Sequence, residues 1–408
     1  MKRIGLYGIG GLYNYGCEAI IRGAVANIRK IDNTCEITYY SRCYEYDKKQ
    51  IKDLNIKIVN IESKNNIIKK IINKCIDIFK LPIILFNKGE YREVVENSDI
   101  ILSIGGDIYS IPKYKRKQKK YQYVNRMVEF GEYAKKRGKK VIIYGASIGP
   151  FGEYSRAKEY FINHLKKVDL IVCREKYSIE YLLENGIKEN LIFLPDPAYL
   201  VGDNIKKENT KKYIGINLSA LSIHEIYGNL SDETIDRISK LLDSMVEKLQ
   251  MPIMLIPHVY SPWDKFDNDY EFLNKLYSRM SLKTKKNVKV VKPVSFIDVK
   301  NYLIECKIVV AARMHCAVNA ITESIPTIFL SYSIKSQGMS EFVYNDLRWF
   351  LKLNEIEDKL LELVTKMNND YSGINKLLLK RNTEICALFE ENNEAHCILK
   401  NIILGESN

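Results

Sequence analysis

The stretch Ile308-Val309-Val310-Ala311-Ala312-Arg313-Met314-His315, continuing as CAVNAITESIPTIFLSYSIK over 316–335, decides the fold. It opens on four small or β-branched apolar residues, as expected of a strand buried on both faces. From Arg313 onward Ala317, Val318 and Ile321 recur at helical spacing. Pro326 stops that helix and starts a second apolar run, which ends at Ser331. Strand, helix and strand make one crossover unit of a parallel sheet. In open parallel sheets, ligands gather beyond the carboxyl ends of the strands. Arg313 and His315 follow the first of these strands; Ser333 and Lys335 follow the second. The first turn of a helix favours an anion. A guanidinium forks onto phosphate or carboxylate, and an imidazole exchanges protons near neutral pH. We therefore expect an anion-handling active site built on Arg313, His315 and Lys335.

The same alternation extends outward from this unit. Strands are expected at Arg3–Tyr7, Ile37–Tyr40, Ile56–Asn60, Asp99–Ser103, Lys140–Tyr144, Leu170–Cys173 and Leu191–Leu194. After the polar, lysine-rich run Gly202–Lys212 they resume at Tyr213–Asn217, Ile253–Ile256, Val288–Val291, Ile308–Ala311 and Thr327–Ser331. Helices fit Cys17–Arg29, Gln122–Arg137, Ser178–Glu184, Ser231–Leu249, Asp269–Leu282 and the closing stretch from Ile356 to Leu404. Taking the lysine-rich run as a linker divides the chain into an N-terminal domain, 1–203, and a C-terminal domain with closing helices, 204–408. Both read as α/β, Rossmann-like units. Small and ionisable residues follow the strands: Asn14 and Glu18, then Gly105, Gly106 and Asp107, then Ser147, Arg174 and Asp196, and in the second half His258. Two such rims facing across a cleft would form a substrate site.

Composition narrows the partners. The 408 residues carry a net charge of +13, which favours negatively charged ligands. No zinc finger, RNP motif or similar signature points to nucleic acid. The first loop is G-x-G-G and not the full dinucleotide fingerprint, so neither NAD nor FAD is expected. The nine cysteines are odd in number and lie at no zinc-ribbon or CxxC spacing, as in reduced, cytoplasmic chains. The five histidines lie far apart in sequence, so no metal is expected. Asp267-Asn268-Asp269 has the look of a DxD motif, but it stands where helix caps are usual. The start, MKRIGLYGIGG, reads as a buried strand and turn, not a signal peptide. No apolar run approaches the roughly 18 residues needed to span a bilayer. Two segments could nonetheless meet a membrane surface. Ile67–Lys80 is amphipathic, with lysines on its polar face, and suits either a helix on anionic lipid or a helix packed on the core. Lys113–Lys120 (KYKRKQKK) could hold phosphates or lipid headgroups, or be a solvated loop.

Several ordered blocks resemble the polysaccharide pyruvyl transferase family: YNYGCEAI, SIGGDIYS at 103–110, GASIGPF at 145–151, CREKYSIEYL at 173–182, LPDPAYL at 194–200, GINLS at 215–219, IPHVY at 256–260 and ARMHCAVNAITESIPTIFLSYSIKSQGM at 312–339. The resemblance implies a GT-B-like fold of two Rossmann-type domains with parallel sheets facing across a cleft. It implies transfer of the enolpyruvyl unit of phosphoenolpyruvate to sugar hydroxyls of a surface or capsular polysaccharide precursor, leaving a pyruvate ketal, with no cofactor. The acceptor would be a glycan, lipid-linked, at the inner face of the plasma membrane. His315 and Asp107 would be catalytic; Arg313, Arg174 and Lys335 would bind phosphoenolpyruvate; Asn14, Glu18, Gly105, Gly106, Ser147, His258 and Ser333 would line the acceptor side or cleft. The sequence departs from the family at Cys17, where many members carry Asp. The alternatives are a GT-B glycosyltransferase using a nucleotide sugar and a non-catalytic glycan-binding protein on the same fold.

Overall fold

Apolar runs of three to seven residues bounded by glycines and polar turns become strands, and the computed structural model arranges them in two sheets. It describes all residues except 63–66, 80, 82–87, 113–114, 118–120, 203–210, 229, 262–266, 332–333 and 407–408. For 67–70, 77, 88 and 334–336 it describes the backbone alone. Among the described residues the first sheet holds β1 (Arg3–Tyr7), β2 (Glu36–Ser41), β3 (Lys57–Asn60), β4 (Ile100–Ile104), β5 (Lys140–Ala146), β6 (Leu170–Cys173) and β7 (Leu191–Phe193). The second holds β8 (Tyr213–Asn217), β9 (Ile253–Leu255), β10 (Val288–Val290), β11 (Cys306–Ala311), β12 (Thr327–Ser331) and β13 (Phe350–Lys352). All pairings between these strands are parallel.

The orders are β3-β2-β1-β4-β5-β6-β7 and β10-β9-β8-β11-β12-β13. Each reverses direction once, between β1 and β4 and between β8 and β11. Those reversals are the switch points where open α/β sheets bind ligands. β4, β11 and β12 are buried almost throughout because helices cover both faces. β13 escapes the sequence reading because Phe350–Lys352 is too short and too polar at its end to stand out as a strand.

The chain forms two compact units. One comprises Met1–Leu12, Ile20–Pro197 and Leu388–Asn408; the other comprises Tyr13–Ala19 and Ala198–Ala387. Against a division at 203/204, residues 13–19 and 198–203 go to the second unit and 388–408 to the first, and the lysine-rich run lies mostly outside the described residues. The segment at 13–19 joins the second unit because its backbone pairs there: Tyr15 N–H donates to the His258 carbonyl at 3.1 Å, and Tyr260 N–H donates to Tyr13 at 2.9 Å. The last residues belong to the first unit because of a buried polar chain. The His396 ring shares a 2.9 Å hydrogen bond with Asn27 Oδ1, and Asn27 donates to Tyr144 Oη at 2.8 Å. Leu399 and Ile403 are buried on the same helix, Glu394–Leu404.

Local signals set the helices that carry the site. Ser231 caps Asp232–Leu249 by accepting from Thr234 N–H, as expected of that residue type. In the second unit the buried Lys300 of helix Phe296–Leu303 donates to Thr322 Oγ1 at 3.0 Å and to Glu323 at 2.5 Å. It thereby ties that helix to the end of Met314–Thr322, the helix that begins beside Arg313. Removing one member of a buried pair strands the other charge. Glu323→Ala should therefore destabilise the protein by about 3–5 kcal/mol, read as a lower midpoint in urea denaturation, whereas exposed Lys359→Ala should leave the midpoint nearly unchanged.

Candidate active site

The carboxyl edge of the second sheet is organised around Asp269, the fully buried first residue of helix Asp269–Arg279. Its Oδ2 accepts from the backbone N–H groups of His258 and Val259, both at 3.1 Å. Its Oδ1 accepts from Arg313 Nη2 at 2.8 Å and from Nε at 3.2 Å. Arg313 Nη2 also donates to Asp267 Oδ1 at 2.6 Å. Asn217, the last residue of β8, accepts from Arg313 N–H through Oδ1 at 2.9 Å and donates to the Ile256 carbonyl. The carboxyl ends of β8 and β11 are thus joined at the switch point by one hydrogen-bonded network.

Arg313 is therefore placed differently from its expected role as an open anion clamp. Its side chain is only 16% exposed, and both carboxylates face it. Burial opposes the charge, and Asp269 and Asp267 outweigh it, holding the guanidinium above its usual pKa. Two carboxylates thus face one guanidinium in this cluster. Arg313 caps helix Met314–Thr322 in position but not with its side chain. Asp267 and Asp269 serve this arginine, and Asn268 between them is the true helix cap, accepting from Glu271 N–H.

His315 sits in the first turn of that helix, partly exposed. Its ring lies against Gly16, where a Cβ would come within 2.6 Å of Nδ1. Glycine at 16 is thus a requirement of close approach. His258 lies buried nearby, edge-on to Tyr15 and Phe296 with ring centroids 6.0 and 6.4 Å away. No described group bonds its Nε2. Burial above all, then the charges of His315 and Arg313, push its pKa well below 6.5, so the ring is neutral.

Two residues expected at the cleft hold the fold together. Asn14 Oδ1 accepts from Gly16 N–H at 3.0 Å, and Asn14 bridges Val259, so it starts helix Tyr15–Ile31. Glu18 is buried and accepts from Phe296 N–H at 2.8 Å, anchoring the start of helix Phe296–Leu303. Ser333 lies outside the described residues. Lys335 is described by its backbone alone, in the first turn of helix Ile334–Tyr344.

In the first unit a second cluster forms beyond β4, β5 and β6. Arg174 is buried; Nη1 donates to Asp196 at 2.6 Å, and Nε and Nη2 donate to Ser147 Oγ at 3.1 and 2.9 Å. Burial would lower its pKa, but Asp196, Glu175 and Asp107 reverse that and raise it. Gly106 gives the guanidinium room, since a Cβ there would lie 3.3 Å from Nη2, and its carbonyl accepts from Ser147 N–H. Gly105 adopts φ +146°, a conformation that favours glycine. Asp107 is exposed at the mouth of this cluster. Asp107, Gly106, Ser147 and Arg174 are thus brought together as the sequence implied. Asp196, placed on the rim by its position in LPDPAYL but given no role by the sequence, is the ion-pair partner of Arg174.

A model of the polysaccharide pyruvyl transferase family matches residues 14–334. The chain belongs to the polysaccharide pyruvyl transferase family. This pyruvyl transferase family member is accordingly a transferase of polysaccharide biosynthesis. No curated protein matches it. Among solved structures it is similar to UDP-GlcNAc 2-epimerase from Neisseria meningitidis bound to UDP-GlcNAc, at TM-score 0.62 and 12% identity over 100% of both chains. It is similar to UDP-GlcNAc 2-epimerase from Methanocaldococcus jannaschii, at TM-score 0.58 and 15% identity over 99% of both chains. It is also similar to HepE from Anabaena in complex with UDP and glucose, at TM-score 0.59 and 12% identity over 99% of both chains. At such identity the likeness establishes the fold, which is GT-B-like with two Rossmann-type domains.

The neutral state of His258 has a measurable consequence. Below about pH 6.5 the unfolded chain binds a proton at this histidine that the folded chain does not. Its contribution to stability is thus present above that pH and lost as pH falls. The loss amounts to at most about 1.4 kcal/mol per pH unit. Urea denaturation between about pH 7 and 5 should show a shallower fall in stability for His258→Asn than for the parent protein.

Proposed function

We propose that this pyruvyl transferase family member moves the enolpyruvyl group of phosphoenolpyruvate onto hydroxyls of a surface or capsular polysaccharide precursor, forming a pyruvate ketal without a cofactor. The family match over 14–334 carries the reading, because it includes Asp107, Arg174, Arg313 and His315. His315 is assigned as the general acid that protonates the enol methylene, leaving C2 electrophilic. Asp107 takes the proton of the attacking sugar hydroxyl. A second hydroxyl then displaces phosphate and closes the ketal. Lys335 and Arg174 are assigned to the phosphate and carboxylate of the donor. For Arg313 the role narrows: paired with Asp267 and Asp269, it positions the His315 helix and offers Nη1, which none of its described hydrogen bonds uses.

Loss of a general acid typically costs about 10²–10⁴ in rate. His315→Ala should lower turnover by that order while phosphoenolpyruvate still raises the melting temperature; unchanged turnover would remove the assignment. A thermal shift with UDP-GlcNAc and none with phosphoenolpyruvate would instead favour the nucleotide-sugar reading, in line with the ligands named for the UDP-GlcNAc-bound and UDP-bound neighbours.

The acceptor in this reading is lipid-linked, and the first unit has a surface suited to the membrane that would carry it. Helix Ile67–Ile78 turns Ile71 (58% exposed) and Ile78 (66%) to solvent, followed by Phe79 (70%), while Ile76 faces the body. Of the two readings of this segment, this favours a helix on anionic lipid, with exposed Lys74 beside the apolar stripe. Among the described residues no helix is long and apolar enough to cross a membrane. In the basic loop, Arg116 donates to the Ile111 carbonyl, and only 115–117 are described. The protein should co-sediment with phosphatidylglycerol vesicles, and Lys69/Lys70/Lys74→Glu or Phe79→Ser should each reduce that binding; equal sedimentation of all three proteins would count against the surface.

A further inference from the structure

Tyr7 ends β1 at the carboxyl edge of the first sheet, fully buried, and its hydroxyl donates to Glu90 Oε1 at 2.8 Å. Two arginines converge on the same pair. Arg126 Nη2 donates to Glu90 Oε1 at 2.6 Å and to Tyr7 Oη at 2.9 Å. Arg42 Nη2 donates to Glu90 Oε1 and, at 3.2 Å, to Tyr7 Oη. Both guanidiniums stand over the Tyr7 ring, 5.8 and 5.6 Å from its centroid. The topology explains the meeting. Arg42 directly follows β2, and Glu90 lies in the first turn of helix Lys88–Glu96, which leads into β4. Arg126 opens helix Arg126–Lys135, whose cap Asn125 donates to the Ile108 carbonyl in the loop after β4.

Among the described ion pairs the charges here do not balance. Glu90 is 7% exposed, and one guanidinium would neutralise it. A second buys nothing there and bears its own desolvation cost. Among the described residues the ion pairs of both arginines end on Glu90. Their described hydrogen bonds use Nη2 of each and Nε of Arg126, leaving Arg42 Nε and Nη1 and Arg126 Nη1 for a further acceptor. The side chains are 24% and 32% exposed, so a ligand can reach them, yet Glu90 and Tyr7 hold them in place. Two preorganised guanidiniums with an uncompensated charge suit a planar or tetrahedral oxyanion. The group stands next to the β1/β4 switch point, on the rim where open sheets take ligands.

We propose that Arg42 and Arg126 form an anion-binding subsite for a phosphate or carboxylate carried by the sugar acceptor, an assignment that rests on the pyruvyl-transfer reading only in naming the acceptor. The subsite separates acceptors that carry such a group from neutral ones.

The test is equilibrium binding by calorimetry of glucose 1-phosphate, glucuronate and neutral methyl glucoside, with phosphoenolpyruvate as a separate arm. The parent protein should bind a charged sugar about tenfold or more tightly than methyl glucoside, and Arg42→Gln and Arg126→Gln should each erase that preference. Phosphoenolpyruvate binding should be unchanged in both variants. Preference for glucose 1-phosphate identifies a phosphate, and preference for glucuronate a carboxylate. No preference in the parent protein, or the same preference in both variants, overturns the subsite. An equal loss of phosphoenolpyruvate binding overturns its assignment to the acceptor. Charged-sugar binding that depends on both arginines, in a protein that binds no phosphoenolpyruvate, keeps the subsite while removing the pyruvyl donor. If a glutamine variant fails to fold, Arg42→Lys and Arg126→Lys, which keep the charge but lose the fork, should weaken charged-sugar binding selectively.

Discussion

A carboxylate buried away from water must find donors for its oxygens, and Asp269 finds them on three separate segments. It accepts from the backbone after β9, from the guanidinium after β11 and, through Asn217, is linked to the end of β8. Each of those segments would otherwise leave a polar group unpaired at a dry sheet edge. The carboxylate thus fixes the loop that holds His258 and the start of the helix that holds His315. The carboxyl edge of the second unit is cross-linked by one buried carboxylate that is hydrogen-bonded from several sides.

The first unit uses the same device with the signs exchanged. There the buried cation, Arg174, gathers Asp196 and Ser147 and feels Asp107. In both clusters the arginine most easily read as a substrate ligand is already paired within the fold. Each of these two guanidiniums already has a buried carboxylate partner within its own unit. The surplus arginine beside Glu90 shows the contrast, since two cations there share one acid.

Much of this was legible in the chain. Strands such as Arg3–Tyr7, Leu170–Cys173 and Thr327–Ser331 are set by local apolar runs, and Ser231 signals its helix by its own hydroxyl. The gathering of Asp107, Gly106, Ser147 and Arg174 follows from topology, since each comes just after a strand of one parallel sheet. Asn14 and Glu18 have structural roles that the chain did not announce, for a reason of the same kind. Polar residues after a strand are equally good as caps, and only the position of Phe296 and of the helix start shows which use they serve.

The sequence by itself determined the class of fold, the parallel order of short buried strands and the family, because these depend on periodicity, glycine placement and ordered blocks along one chain. Tertiary structure alone decided which charges are free. Arg313 lies 44 residues from Asp269 and Arg42 lies 48 from Glu90. A pairing across such distances depends on how the sheet brings strand ends together. Arg313-Met314-His315 stood out in the chain from its own residue types; that its arginine is held by Asp267 and Asp269 is a property of the folded chain.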